Sequence, residues 1–278
     1  MLSYLHGYHA GNFADIHKHF ILSCLLQSLN RKATPWNYLE THSGRAIYDL
    51  ENEQALKTGE FKEGILRLWE RQDLPEQIQP YLDAVRQWNP EGSLSQYPGS
   101  PSIAAGFARE QDRLHLMELH PAEFDVLKRT FRRDQRVAVH HRDGYEGVLS
   151  LLPPIPNRGL VLIDPSYEVK SEYDQVVSFM LAATRRWPNG IYAIWYPLLG
   201  ARRWQEMLDA LSRSGIRKIL RSEVEIAREA DRGMYGSGML IINPPWQLDQ
   251  QLESSLPQLR ASLEQECYTT QCNWLVPE

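Results

Sequence analysis

The chain of 278 residues has 42% hydrophobic and 23% charged residues, proportions of a globular protein long enough to bury a core without disulfides or structural metals. Its cysteines, Cys24, Cys267 and Cys272, include no CxxC pair, which excludes a zinc knuckle and a disulfide framework, and no run of about eighteen apolar residues is present to span a membrane. The net charge of −5 and a pI near 6.0 argue against a nonspecific polyanion binder, although local basic groups such as Lys128, Arg129, Arg132, Arg133 and Arg136 remain.

The opening segment lacks the basic-then-apolar pattern of a secretory signal, so a cytoplasmic location is expected. It is rich in imidazole and phenol groups: Tyr4, His6, Tyr8, His9, His17 and His19. His17 and His19 stand two apart and point to different faces of the helix expected over Asp15 to Ser28, and no HExxH accompanies them, so no metal site is expected. A first strand, Trp36 to Glu40, ends in Thr41-His42-Ser43-Gly44. About fifty residues then separate it from the next regular helix, which is too long for a simple crossover. Within that gap Phe61, Ile65, Leu68 and Trp69 recur with helical spacing, as do Ile78, Tyr81, Leu82 and Val85 after an Asp73–Glu76 capping box. The sequence therefore predicts a small helical insertion over 49–97, with 1–48 and 98–278 forming the main domain. Ser100 reads as the N-cap of the resumed helix, with Pro101 at its first position.

Six further strands are expected: Leu114 to Leu119, Val137 to His140, Leu160 to Ile163, Ile191 to Trp195, Ile216 to Val224 and Met239 to Ile242. Helices over Pro121 to Phe131, Tyr173 to Arg186, Arg202 to Ser214 and Gln250 to Glu264 alternate with them. The pattern is that of an α/β, Rossmann-like fold with a seven-stranded, mostly parallel sheet, which holds ligands at the carboxyl ends of its strands.

Chemistry concentrates at those ends. The fourth strand of the main sheet runs into Asp164-Pro165-Ser166-Tyr167. Methyl transfer to an exocyclic amine needs acceptors for both N–H hydrogens so that the lone pair points at the methyl group. The Asp164 carboxylate and the Pro165 carbonyl supply two acceptors, Tyr167 offers a surface on which an extruded base can stack, and Asp164 can take the surplus proton. Glu118 suits ribose hydroxyls, and Asp143, followed by Gly144, can accept the N6 hydrogens of a cofactor adenine. The loop after the first strand carries a single glycine, which argues against a dinucleotide cofactor. A competing segment, Asn243-Pro244-Pro245-Trp246, also matches the amine-methyltransferase pattern, but too few residues follow it for the strands that come after a catalytic turn, so a structural turn is expected there.

The stretch Tyr4-x-His6-x-x-His9-Ala10-Gly11-Asn12-x-Ala14-Asp15-x-x-Lys18-His19 closely resembles the start of the bacterial 23S ribosomal RNA adenine-N6 methyltransferases of the J type. The resemblance runs on through Tyr38-Leu39-Glu40-Thr41-His42, Tyr97-Pro98-Gly99-Ser100-Pro101, Glu118-Leu119-His120-Pro121, Leu162-Ile163-Asp164-Pro165 and Tyr192 to Pro197 to the closing Trp274 to Glu278. It implies a class I S-adenosylmethionine-dependent enzyme that methylates one adenine, number 2030, of 23S rRNA; direct transfer requires no metal, and a monomer is expected. It places His19, His42, Ser100, Glu118, Asp143, Gly144 and Asp164 at S-adenosylmethionine, and Tyr4, His6 and Lys18 with the turn Pro165-Ser166-Tyr167 on the RNA side. Two departures stand out. Ser166 replaces a usual proline, which implies a looser turn, and Arg45 enters the loop after His42. The same residues leave open a DNA adenine methyltransferase, or an RNA-binding protein that keeps the fold without catalysis.

Overall fold

The computed structural model describes residues 5–69, 71, 73–227, 233–263 and 269–278. In chain order the strands are β1 (Asn37–Glu40), β2 (Ile47–Asp49), β3 (Gln96–Pro98), β4 (Arg113–Glu118) and β5 (Val137–His141), then β6 (Gly159–Ile163), β7 (Ile191–Leu199), β8 (Ile219–Glu225), β9 (Met234–Ile242) and β10 (Thr270–Val276). The helices are α1 (Phe13–Asn30), α2 (Glu53–Thr58), α3 (Ile65–Trp69), α4 (Gln79–Arg86) and α5 (Ser100–Phe107), followed by α6 (Pro121–Thr130), α7 (Gly144–Leu151), α8 (Glu172–Arg186), α9 (Arg203–Ser212) and α10 (Leu248–Ser262).

Eight strands form one sheet in the order β10-β8-β9-β7-β6-β1-β4-β5. The five from β7 to β5 are parallel, and β9, β8 and β10 add antiparallel. The central β6, Gly-Leu-Val-Leu-Ile, is buried at every position, as expected of a parallel strand covered on both faces. Alternation along the strands separates two cores. Tyr38, Leu114, Leu116, Leu160 and Leu162 pack on one face under α1, α5 and α10. Leu39, Met117, Val161 and Ile163 pack on the other under α7, α8 and α9.

The sheet exceeds the expected seven strands by β10, whose alternating residues are mostly exposed or half-buried, so it carries little apolar periodicity to read. β7 and β9 also run longer than expected. Gly236 and Gly238 interrupt the apolar pattern of β9, yet Gly238 is required there, since an added Cβ would lie 2.2 Å from the Tyr196 ring.

Helix α1 is buried along nearly its whole length, a core helix rather than an amphipathic one. The Asn12 side chain accepts from the Ala14 and Asp15 amides, which starts the helix two residues before Asp15 and fixes the direction of its first turn. The segment between β2 and β3 folds as short helices whose Phe61, Ile65, Leu68, Ile78, Tyr81, Leu82 and Val85 join the α1 side of the core, and β2 and β3 close its base as an antiparallel pair. The capping box expected at Asp73 does not form: Asp73 pairs with Arg71 instead, and the following 3-10 turn has no side-chain cap. Ser100 is the first residue of α5, and Gly99 is its N-cap.

Candidate active site

A cavity of about 430 Å3 opens at the carboxyl ends of the parallel strands. One wing is walled by Thr41, His42, Ser43 and Gly44 after β1, by Ser100, by Glu118 to His120 after β4, and by Asp143 to Tyr145 after β5. The other runs past Asp164, Pro165 and Ser166 to Trp195, Pro197, Leu199 and Met234. Asp15, Lys18 and His19, from the first turns of α1, line it with His6.

The α1 residues form a charged cluster. Lys18 Nζ donates to Asp164 Oδ2 at 2.6 Å and lies 3.1 Å from Asp15 Oδ1, one helical turn away. Asp15 Oδ2 accepts from the Gly11 amide at 2.9 Å and lies 2.8 Å from His6 Nε2. Burial would push the Asp15 carboxyl up, but its interactions with His6 and Lys18 outweigh this and hold the group well below the usual carboxylate range. His19 is neutral, pushed down by burial to about 3, and its Nδ1 pairs with the Tyr97 hydroxyl at 2.7 Å.

In the first wing, Glu118 accepts backbone N–H groups from Gly44 and His120, one on each oxygen and both at 2.7 Å, so it locks two loops together. Asp143 caps α7 through the Glu146 amide. Gly144 permits the close approach of α7 to β1: a Cβ there would lie 1.9 Å from the Thr41 carbonyl oxygen. Burial holds His42 neutral, down to about 4, with Nδ1 2.8 Å from Thr41 Oγ1. Below the wing, Ser100 Oγ donates to the fully buried Glu40, whose carboxyl burial pushes up to about 8.

The expected site residues that are described thus share one cavity, with one exception. The Tyr167 ring does not face it. Tyr167 takes a left-handed backbone (φ 56°) and turns into the core against Tyr173 at 4.4 Å between ring centroids, with its hydroxyl donating to the Trp195 carbonyl. Tyr4 lies outside the described residues. Ser166 Oγ donates weakly to Glu172 at 3.5 Å, tying the turn to α8. Arg45 turns aside to a two-point pair with Glu123. Asn243 to Trp246 follows β9 at the opposite, amino edge of the parallel strands, where Asn243 Nδ2 donates to the Pro188 and Gly190 carbonyls. Asp15, Glu40 and Trp195 were not singled out from sequence. The Asp15–Lys18 spacing of three on a helix is the signal that could have found the first.

Among the described residues, no group of three or more His, Cys, Asp or Glu side chains is placed to hold a metal ion, and no helix is long and apolar enough to cross a membrane.

Residues 33–276 match the family model described as ribosomal RNA large subunit methyltransferase D, RlmJ. The ribosomal RNA large subunit methyltransferase J of Escherichia coli K12 is 44% identical over 280 residues, covering the whole of both chains. The chain belongs to this family. The Haemophilus influenzae protein of the same name is also 44% identical, over 283 residues and both full lengths. A crystal structure of a Legionella pneumophila protein superposes with a TM-score of 0.90 at 38% identity, over 96% of this chain and 98% of that one.

A family methyltransferase of this class I fold uses S-adenosylmethionine, and the cavity suits it. The Ser43 hydroxyl is buried in the wall with no partner among the described residues. Glu118 ends β4 and Asp143 stands in the loop just after the adjacent β5, where a nucleoside offers hydroxyl and amine donors.

Proposed function

We propose that this methyltransferase modifies the N6 amine of one adenine in 23S ribosomal RNA. S-adenosylmethionine supplies an activated methyl group. His42, Ser100, Glu118, Asp143 and Gly144 hold it in the first wing, with Glu118 toward the ribose and Asp143 toward the adenine amine. His19, neutral and tied to Tyr97, shapes the floor between the wings.

The observation that carries the reading is Asp164 at the junction of the two wings, fixed by Lys18 at 2.6 Å. Its carboxylate and the Pro165 carbonyl accept the two N6 hydrogens, which turns the amine lone pair toward the methyl group. Asp164 then receives the proton that the alkylated amine sheds. Lys18, Asp15 and His6 hold that carboxylate in one place in a partly dry pocket. RNA as the polymer is supported by the names of the full-length relatives. The insertion over 49–97 carries ten acidic and five basic residues, a net −5 that equals the charge of the whole chain. Phosphates are therefore steered to other faces, and the insertion serves to cover α1.

The test is methyl transfer by purified protein to a 23S rRNA transcript and to duplex DNA, with nucleoside analysis of the products. The expected product is N6-methyladenosine in RNA, abolished in Asp164→Asn while the protein still binds S-adenosylmethionine. Transfer to DNA alone, or near-normal turnover by Asp164→Asn, refutes the reading.

A further inference from the structure

With the Tyr167 ring buried away from the cavity, the second wing needs another surface for the base. Trp195, Pro197 and Leu199 alternate along β7 and so present side chains on one face of its carboxyl end. Met234 lies directly across from Leu199 on the neighbouring strand. All four line the cavity, and together they give its second wing an apolar wall. Lys18 Nζ, which holds Asp164, sits 5.5 Å from the centroid of the Trp195 ring, so the acceptor and the ring share one corner.

The ring is held from behind. Trp195 Nε1–H donates to Ser237 Oγ at 3.0 Å. Ser237 Oγ lies 3.0 Å from His17 Nδ1, and His17 Nε2 lies 3.0 Å from Ser222 Oγ. The arrangement has His17 donating to one serine and accepting from the other, in either tautomer. It needs a neutral imidazole, and burial pushes His17 down to about 3. The chain of hydrogen bonds crosses from α1 to β9 and β8 and fixes the tilt of the indole. An indole that lines the cavity and is pinned through its one polar atom is suited to a flat ligand.

We infer that Trp195 is the stacking surface for the target adenine, with Pro197, Leu199 and Met234 extending the wall under the extruded nucleotide, while Tyr167 supports Trp195 from within the core. The inference rests on the proposed adenine methylation. Stacking of a base on an aromatic ring is worth roughly ten- to hundredfold in binding.

Two measurements test it. Wild-type protein is cross-linked to an rRNA fragment carrying 8-azidoadenosine at the adenine it methylates, then digested with trypsin. The label is expected on Trp195 in the 187–202 peptide; label on Tyr167 in the 159–170 peptide overturns the inference. In steady-state assays, Trp195→Leu should lose roughly ten- to hundredfold in kcat/KM for RNA with its S-adenosylmethionine affinity within about twofold of wild type, and Trp195→Phe should fall between the two. Wild-type kcat/KM in Trp195→Leu overturns the inference while leaving the adenine reading intact. If the wild-type protein methylates no RNA, both fall together. The cross-link decides the matter even where Trp195→Leu fails to fold.

Discussion

Replacing Lys18 with methionine keeps the length and apolar stem of the side chain and removes one charge. In the native protein that side chain is 6% exposed and bridges Asp15, 1% exposed, and Asp164, 14% exposed. Removing one partner of a buried ion pair costs about 3–5 kcal/mol because the charge left behind is uncompensated. Asp15 keeps His6 and the Gly11 amide, so most of the loss falls on Asp164, whose partial exposure places the cost at the lower end, about 3 kcal/mol. Unfolding entropy of about 2.1 cal/mol/K per residue amounts to roughly 0.6 kcal/mol/K for a chain of 278 residues, so the midpoint should fall by about 5 °C. Scanning calorimetry reads that shift directly. Methyl transfer, followed in parallel below the transition, should fall by at least tenfold because Asp164 loses the group that aims it. A midpoint within about 1 °C of wild type together with unchanged turnover refutes the reasoning.

Two further predictions come from residues in and beneath the first wing. Glu40, pushed up by burial to about 8 from an ordinary 4.5, stays protonated in the folded chain over a range in which the unfolded chain releases its proton. The unfolded state binds fewer protons there, so this group makes stability fall as pH rises from about 4.5 to 8. Glu40→Gln should flatten that part of the profile and show its largest gain over wild type at pH 8, in thermal unfolding compared at pH 5 and pH 8; an equal offset at both counts against it. Gly144→Ala puts a Cβ 1.9 Å from the Thr41 carbonyl and must part α7 from the end of β1. Its S-adenosylmethionine affinity, measured by calorimetry, should drop by more than about tenfold, and an unaltered value contradicts the role given to that contact.

The parts of this protein that were readable in its sequence are those where local chemistry and tertiary context agree. Strand β6 is a continuous apolar run leading to Asp164 because both its faces are covered, and the shorter apolar stretches of β4 and β5 lead to Glu118 and Asp143. The helical spacing of Ile65, Leu68 and Trp69 and of Tyr81, Leu82 and Val85 announced α3 and α4. What escaped reading was set by long-range contacts. β10 gains its place by pairing with β8, not by its own weak alternation. The start of α1 depends on Asn12 and not on the apolar pattern that begins after it. Asp73 and Glu76 have the spacing of a capping box, but Arg71 claims the Asp73 carboxylate. Tyr167 has the right type and position to stack on a base, and only the left-handed turn of its backbone sends the ring into the core. Trp195 looks like one more core aromatic of a central strand until its neighbours on β9 and α1 are seen.

The central claim is tested most directly by mass-spectrometric mapping of modified nucleosides in 23S rRNA from cells with and without the gene for this chain. The account predicts that one N6-methyladenosine disappears on deletion and returns when the wild-type chain, but not Asp164→Asn, is supplied. An unchanged set of N6-methyladenosines after deletion, or loss of some other modified nucleoside in its place, would contradict it.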